Sequence, residues 1–157
     1  MPTQPALDDE LTDLFVTASR ALVGIAIRSI EAASVPVTVP QHRVLVLLAA
    51  EGEMTVGEIA ELAGVNQSSA SRLCDRLQKL GLVRRRRGAE DGRVVRVGLT
   101  EEGKRVVDSV TEVRRREVGR VLARLHVDNA HAVVAALITF NDAAHEREER
   151  NWTFAGS

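Results

Sequence analysis

The segment from residue 66 to residue 100 constrains the fold of this chain more than any other part. Asn66, whose side chain suits a helix N-cap, precedes small polar residues and arginines at helical spacing. Gly81 is placed to end that helix. Two short arginine-rich runs, 82–87 and 94–99, then flank an Asp-Gly dipeptide of the kind found in hairpins. The segment therefore predicts a helix followed by a basic β-hairpin.

A second helix is predicted just upstream, over residues 55–62. Thr55 and Glu58 stand three residues apart, which is the capping-box arrangement, and Gly64 allows a sharp corner between the two helices. Helix, short turn, helix and basic hairpin are together typical of a winged helix-turn-helix, in which the second helix enters the major groove of DNA. The hairpin then lies against the backbone or in the adjacent minor groove. The alternative is a surface helix and a solvated hairpin that are arginine-rich by chance.

Charge is distributed unevenly along the chain. The 157 residues carry a formal net charge of -1, so the overall balance says nothing about nucleic acid. Residues 55–99, however, include nine basic and five acidic side chains, a net charge of +4, which leaves twelve basic and seventeen acidic residues elsewhere. A basic module within an acidic body suits phosphate binding, and the acidic remainder limits indiscriminate adhesion to polyanions.

The predicted recognition helix has an apolar and a polar side. Its buried stripe is predicted to consist of Ala70, Leu73, Cys74 and Leu77. Short polar side chains and arginines on the other side suit contact with phosphates and base edges. The candidate DNA-binding residues, taken over both helices and the hairpin, are Thr55, Gln67, Ser68, Ser69, Ser71, Arg72, Arg76, Arg84, Arg85, Arg86, Arg87, Asp91 and Arg93.

In these features the chain resembles the MarR family of bacterial transcription regulators over almost its full length. The resemblance rests on the order and spacing of short motifs, namely PQ at 40–41 with VL at 44–45, TVGEIA at 55–60, SRL at 71–73, DRL at 75–77, GLV at 81–83, Asp91 with Arg93, and LT at 99–100 before Gly103. It implies a homodimer whose recognition helices enter successive major grooves of an imperfect palindrome. It also implies that Arg93 reaches the minor groove and that Asp91 holds this arginine in place. Gly92, where many members have arginine, departs from the family pattern and is expected to loosen the wing tip.

The flanking segments predict a dimeric helical body. Apolar residues recur four and three apart from Leu11 to Ile25, and again in two predicted helices beyond residue 100. A winged domain of about sixty residues is too small to bury such faces alone, so pairing with a second copy is expected. The alternative is a monomer with an intramolecular bundle. The predicted fold is mainly α with a small antiparallel β wing, divided into a winged helix-turn-helix DNA-binding domain (38–100) and a helical dimerisation region (1–37 and 101–157).

The resemblance further implies a regulator, most simply a repressor, that leaves its operator when a small aromatic or anionic effector binds between the winged domain and the dimer helices. Phe15 and His42 are the candidate lining residues, and each could equally be a core or dimer-seam residue. A different class of function is a dimeric architectural or scaffold protein that binds DNA without an effector.

The sequence contains no recognisable group of catalytic residues. It therefore predicts that the protein is not an enzyme and binds no cofactor and no metal ion. The chain has no tyrosine, no phosphate-binding glycine loop and a single cysteine. Asp142, His145 and Glu149 have helical ligand spacing on the predicted last helix, but such a grouping is more often a solvated face. Cys74 falls on the buried stripe, which favours packing over oxidant sensing. One cysteine, an acidic start and no apolar run of about eighteen residues predict a cytoplasmic protein without a membrane span.

Overall fold

The structure, a computed structural model, describes residues 4–126 and 128–148. Within these residues, six helices and one two-stranded antiparallel sheet follow one another, which confirms the predicted fold class. They are α1 (Gln4–Glu31), α2 (Val39–Glu51), α3 (Val56–Ala63), α4 (Gln67–Lys79), β1 (Val83–Arg87), β2 (Val95–Leu99), α5 (Glu101–Leu122) and α6 (Ala130–Ala143).

The helices begin where polar side chains cap their free amides. Thr55 and Glu58 form the predicted capping box of α3, and the Asn66 side chain accepts a hydrogen bond from the Ser69 amide at the start of α4. Thr38 forms a second capping box at the start of α2, and the Thr100 side chain caps α5. The pattern Thr-x-x-Gln at 38–41 is the sequence signal for the capping box of α2.

Helix α2 runs through the centre of the molecule. Every residue from Val44 to Ala50 is buried, because α3, α4, α5 and β2 all pack around this helix. A helix enclosed on all sides shows no amphipathic stripe. Fully buried large side chains of the core come from every surrounding element and include Leu45, Ile59, Leu77, Leu82, Val97, Val106, Val107 and Val110.

The start of α5 belongs to the same core as the winged domain. Val106, Val107 and Val110 are buried in one cluster with residues of α2, α3 and α4. The N-terminal turn of α5 also passes so close to the Leu82 carbonyl that a Cβ at Gly103 would collide with it. The predicted boundary at residue 100 therefore divides two regions that share a core.

The wing is the predicted hairpin, with Val83 opposite Leu99 and Arg87 opposite Val95. Its tip differs in detail from the expectation, because residues 88–94 join the strands and the reverse turn runs from Asp91 to Val94, whose amide donates to the Asp91 carbonyl at 3.0 Å. Gly92 and Arg93 thus occupy the centre of the turn. Met54, which precedes α3, pairs with Val97 and so anchors the wing to the helix-turn-helix.

The outer helices leave apolar surface uncovered. The C-terminal part of α1 packs on α5, where Ser29 accepts from Arg114 and Arg28 pairs with Glu117, but α6 has no buried residue. Phe15 of α1 stacks on Phe140 of α6, with ring centroids 4.6 Å apart. Large apolar side chains on these two helices remain exposed, namely Leu11, Leu14, Val16, Leu22, Val23, Ile27, Val133, Val134, Leu137, Ile138 and Phe140.

Within the described residues, no helix is both long and apolar enough to cross a membrane.

Candidate nucleic-acid interface

Helices α3 and α4 form a helix-turn-helix whose corner depends on Gly64. This residue has φ 66° and ψ 33°, the left-handed conformation that glycine adopts without a steric penalty. The Gly64 amide donates to the carbonyls of Ala60 and Glu61, and the Val65 amide also donates to the Ala60 carbonyl. The predicted turn is present at the predicted residues.

The N-terminal turn of α4 presents small polar side chains to solvent. The Asn66 side-chain oxygen accepts hydrogen bonds from the Ser69 amide at 2.8 Å and from the Ser68 hydroxyl at 2.9 Å. Gln67 is exposed, and the Arg72 guanidinium extends back to the Ser69 hydroxyl at 3.4 Å. Free amides, hydroxyls and a cationic side chain at one helix end are suited to phosphates and base edges.

The opposite side of α4 is packed into the core, as the periodicity predicted. Ala70, Cys74 and Leu77 are buried, while Leu73 is half-buried. Ser71 is also half-buried, so it lies at the margin of the polar side, whereas Arg76 is exposed. Burial raises the pKa of the Cys74 thiol, which fits a packing residue rather than a reactive thiolate.

Thr55 was predicted as a DNA contact, but its hydroxyl already has partners within the protein. It accepts a hydrogen bond from the Glu58 amide at 3.2 Å and donates one to the Glu58 carboxylate at 3.1 Å. The Thr55 amide, which donates to the Glu58 carboxylate at 2.7 Å, and then the Thr55 hydroxyl lower the pKa of the Glu58 carboxyl. The structure therefore shows Thr55 as the residue that starts α3.

Arg85 joins the wing to the recognition helix. Its guanidinium lies 2.7 Å from the Asp75 carboxylate and 3.3 Å from the Gln78 side-chain oxygen. Both partners are on α4, one turn apart along the helix. Arg85 was predicted as a DNA contact, and its pairing with Asp75 was not predicted because the pair links residues of two separate elements.

Arg84 and Arg86 share an acidic partner that the sequence did not indicate. They project from the same side of β1, and the Glu53 carboxylate lies 3.7 Å from the guanidinium of each. Arg96, directly opposite Arg86, donates to the Glu53 carbonyl at 3.2 Å and lies 3.8 Å from the Glu58 carboxylate. The base of the wing thus holds two arginines beside the Glu53 carboxylate and a third, Arg96, between the Glu53 carbonyl and the Glu58 carboxylate.

Arg87 and Arg93 are the wing arginines without an internal ion pair among the described residues. Both are exposed. Asp91 accepts a hydrogen bond from the Arg93 amide at 3.0 Å. The resemblance implied that Asp91 holds the Arg93 side chain; in this structure its carboxylate instead holds the backbone of the turn, from which that side chain extends.

Comparison with known proteins agrees with this architecture. The family model described as "MarR family" matches residues 35–94. The chain is 32% identical over 132 residues to the HTH-type transcriptional regulator YfiV of Bacillus subtilis, covering 83% of this chain and 82% of that protein. It is 30% identical to the HTH-type transcriptional repressor MdtR of Bacillus subtilis, covering 73% of this chain and 74% of that protein.

Solved structures give the same result over the whole fold. RV1404 from Mycobacterium tuberculosis superposes with a TM-score of 0.83 at 34% identity, covering 94% of this chain and 99% of that one. A MarR family protein from Bacillus stearothermophilus superposes with a TM-score of 0.81 at 27% identity, covering 92% and 100%. The chain belongs to the MarR family. It is accordingly a winged helix-turn-helix transcription regulator that binds DNA.

The two candidate effector residues of this MarR protein lie in different surroundings. Phe15 is half-buried in its stack with Phe140. His42 is buried and lines a cavity of about 320 Å³ between α1, α2 and α5, whose wall does not include Phe15. The remaining lining residues are Ala26, Ile30, Val39, Arg43, Val46, Thr111, Arg114 and Glu146.

This cavity also contains a cationic group, Arg114, that was not among the predicted site residues. Arg114 is half-buried, its Nε donates to the Ser29 hydroxyl at 3.3 Å, and burial lowers its pKa. Burial, with Arg114 and Arg43 nearby, lowers the pKa of His42 to about 4, so its imidazole is neutral at pH 7. His42 Nε2 is buried without a hydrogen-bond partner among the described residues. Arg114 follows Val107 and Val110 on the inner side of α5. A charged residue at a position where the helical pattern expects an apolar one was the sequence signal that could have identified it.

Of the grouping Asp142, His145 and Glu149, the first two residues do not share one helix. Helix α6 ends at Ala143, and His145 has a positive φ of 55° that turns the chain away. Glu149 lies outside the described residues. No cluster of three metal-ligating side chains occurs within residues 8–126 and 128–148.

Proposed function

We propose that this MarR-family protein is a homodimeric repressor that binds an imperfect palindromic operator. One observation carries the DNA-binding geometry: two exposed cationic surfaces, one on α4 and one at the wing tip, are held in fixed relation by the Arg85–Asp75 ion pair. A rigid link of this kind suits a protein that contacts the major and minor grooves together. The repressor MdtR, a relative by sequence, supports the direction of regulation.

The proposed contacts divide into two groups. On α4, the first-turn residues Gln67, Ser68 and Ser69, with Ser71 at the margin, approach base edges and phosphates beside Arg72 and Arg76. On the wing, Arg87 and Arg93 reach the backbone and the minor groove. Thr55 and Asp91 contribute by fixing the start of α3 and the turn of the wing. Arg84 and Arg86 lie at the base of the wing. Their guanidinium groups can approach phosphates only while the Glu53 carboxylate is also close to them.

Dimerisation is proposed through the outer regions, 1–37 and 101–157. Helices α1 and α6 expose many large apolar side chains in a single protomer, with Leu14 60% exposed and Val134 54% exposed. Apolar area of this extent on two adjoining helices is unusual for a monomer and typical of a subunit interface. A two-fold axis through this surface would direct two α4 helices to successive major grooves.

The test begins with selection of bound sequences from a random duplex library, followed by footprinting of the selected site. We expect two half-sites about one helical turn apart, both protected by a dimer. Light scattering on the same preparation gives the mass in solution. Protection of one half-site by a monomer would contradict the proposal.

We also propose that a small anionic effector releases the protein from DNA by binding in the His42 cavity. The support is chemical: Arg114 supplies a half-buried positive charge and His42 has a nitrogen without a partner among the described residues. Ala26, Ile30, Val39 and Val46 form an apolar part of the wall, and the charges of Arg43 and Glu146 are paired with each other. A carboxylate on a small apolar or aromatic body matches these groups. Because the cavity lies between α1, α2 and α5, a ligand there acts by favouring one spacing of the winged domains over another.

A thermal-shift screen with aromatic carboxylates tests this second part. A binding compound should raise the melting temperature of the parent and weaken operator binding, and Arg114→Met should abolish both effects. An uncharged amide of the same compound is the matched control ligand. If the protein binds its operator but no compound changes that binding, the architectural alternative without an effector is favoured.

A further inference from the structure

The side chain of Glu53 lies across the base of the wing in a place that only glycine leaves open. Gly98 is directly opposite Arg84 in the hairpin, and a Cβ built on Gly98 would come within 2.8 Å of the Glu53 Cγ. The Glu53 stem therefore crosses the strand at Gly98. Its carboxylate reaches 3.7 Å from both Arg84 and Arg86.

The backbone around Glu53 is held as firmly as the strands. The neighbouring residue Met54 exchanges two hydrogen bonds with Val97, its amide donating at 3.0 Å and its carbonyl accepting at 2.7 Å. The Glu53 carbonyl accepts from Arg96 at 3.2 Å. Glu53 is thus fixed to the wing and moves with it, so its negative charge stays beside the arginines when the wing approaches DNA.

The contacts of the Glu53 carboxylate to Arg84 and Arg86 are too long to lock either guanidinium, and the short contact of Arg84 is instead the hydrogen bond that it donates to the Leu99 carbonyl at 3.0 Å. Both distances, 3.7 Å, exceed hydrogen-bond length, and the side chains of Arg84, Arg86 and Glu53 are 47%, 61% and 36% exposed. Exposed pairs of this kind add little to stability. Their effect on a nearby polyanion is larger, because affinity for non-specific DNA follows the local positive charge.

We propose that Glu53 is a specificity-determining residue, an internal counter-charge that lowers the affinity of the wing base for DNA outside the operator. This inference rests on the proposed DNA-binding function. On random DNA, where the complex is held mainly by phosphate contacts, the charge of Glu53 opposes binding in full. At an operator, contacts from α4 and the wing tip fix the orientation of the protein, so fewer phosphates face the wing base than in the loosely oriented complexes with random DNA. The counter-charge therefore opposes operator binding less and lowers the ratio of non-specific to specific binding.

Two variants remove the counter-charge by different routes. Glu53→Gln deletes the charge and keeps the shape. Gly98→Ala keeps the charge but displaces the Glu53 side chain, which is flexible and exposed and can therefore move away. Glu61→Gln is the matched control, because it makes the same change of net charge on α3 at an exposed residue without an ion pair among the described residues.

Fluorescence anisotropy with a scrambled duplex and with the selected operator decides the question. For Glu53→Gln we expect affinity for the scrambled duplex to rise about three- to tenfold at 0.1 M salt, and the salt slope to steepen by up to about one unit. Gly98→Ala should change in the same direction, operator affinity should rise less in both, and Glu61→Gln should stay within about twofold of the parent.

The proposal is overturned if Glu53→Gln binds scrambled DNA no tighter than Glu61→Gln, or if it raises affinity for both duplexes by the same factor. Weaker operator binding by Glu53→Gln would also overturn it, since Glu53 would then be a positioning residue for the arginines. Failure of the parent to bind either duplex would contradict DNA binding itself, whereas operator binding by the parent leaves the proposed function intact whatever Glu53 does.

Discussion

The Arg85 guanidinium lies 2.7 Å from the Asp75 carboxylate and connects the wing to the recognition helix. Arg85 is on β1 and Asp75 is in the middle of α4, so the pair joins the two elements that contact DNA in the proposed complex. Gln78 of α4 adds a second contact to the same guanidinium at 3.3 Å. The positive charge of Arg85 is therefore largely neutralised by a partner within the protein.

The pair should matter more for DNA binding than for stability. Its side chains are 29% and 47% exposed, so we expect Arg85→Ala and Asp75→Ala each to lower the free energy of unfolding by less than about 1 kcal/mol. Urea denaturation at one protomer concentration measures this. Operator affinity should fall in both single variants, and the double variant should lose less than the sum. Tighter binding by Asp75→Ala would show that Arg85 is a phosphate contact that Asp75 merely masks.

Substitutions in the recognition helix and in the wing should affect the sequence preference of DNA binding differently. Arg72→Ala removes a side chain beside the first turn of α4, and we expect it to weaken operator binding more than scrambled-duplex binding. Arg87→Ala should weaken both by similar factors and reduce the salt slope by about one unit, because its role is contact with phosphate. Titrations at several salt concentrations distinguish the two. Equal effects of both variants on the two duplexes would remove the distinction.

The wing tip should depend on Asp91 in spite of its negative charge. Arg93→Ala is expected to cost about 1–3 kcal/mol of DNA affinity, the scale of one well-placed contact. Asp91→Ala should also weaken binding, because the Arg93 amide loses its acceptor and the turn becomes less ordered. Asp91→Asn, which can still accept that hydrogen bond, is the control and should bind at least as well as the parent. If Asp91→Ala binds more tightly than the parent, charge repulsion outweighs the order of the turn.

Burial of His42 predicts loss of stability in acid. Its pKa is lowered from 6.5 to about 4 in the folded state, so the unfolded chain binds more protons between these values. Neutral His42 contributes fully to the free energy of unfolding above pH 6.5. This contribution is lost as the pH falls towards 4, where the free energy of unfolding is lower by about 3 kcal/mol. His42→Gln cannot be protonated in this range. The difference in unfolding free energy between parent and variant should therefore shrink from pH 7 to pH 4, and a constant difference would contradict the buried neutral imidazole.

Two glycines of α5 should respond oppositely to alanine. A Cβ at Gly103 would collide with the Leu82 carbonyl, a backbone atom that cannot move alone, so Gly103→Ala should cost about 1–3 kcal/mol of stability. A Cβ at Gly119 meets nothing within 4 Å in the same protomer, so Gly119→Ala should stabilise the helix by up to about 1 kcal/mol. Thermal unfolding of both variants checks the pair. Equal destabilisation by the two changes would mean that the close approach at Leu82 does not restrict residue 103.

Local chemistry was enough to predict the helix-turn-helix and the wing. The deciding interactions are capping hydrogen bonds to residues a few positions away, at Thr55 and Asn66, and a left-handed backbone that ends a helix, at Gly64 and Gly81. Interactions of such short range can be read along the chain. The tip of the wing was harder, because the turn that contains Gly92 depends on where the two strands stop pairing.

Only the tertiary structure decided which charges are available for DNA. Four consecutive arginines, 84–87, look alike in the sequence, yet Asp75 takes one, Glu53 lies beside two, and Arg87 has no internal ion pair among the residues that the structure describes. The same holds for Arg114 and His42, which face one cavity from helices far apart in the chain. The physical reason is that ion pairs and burial depend on distances of a few ångströms in space. The residues involved are separated along the sequence by irregular intervals, so no repeating pattern reveals them.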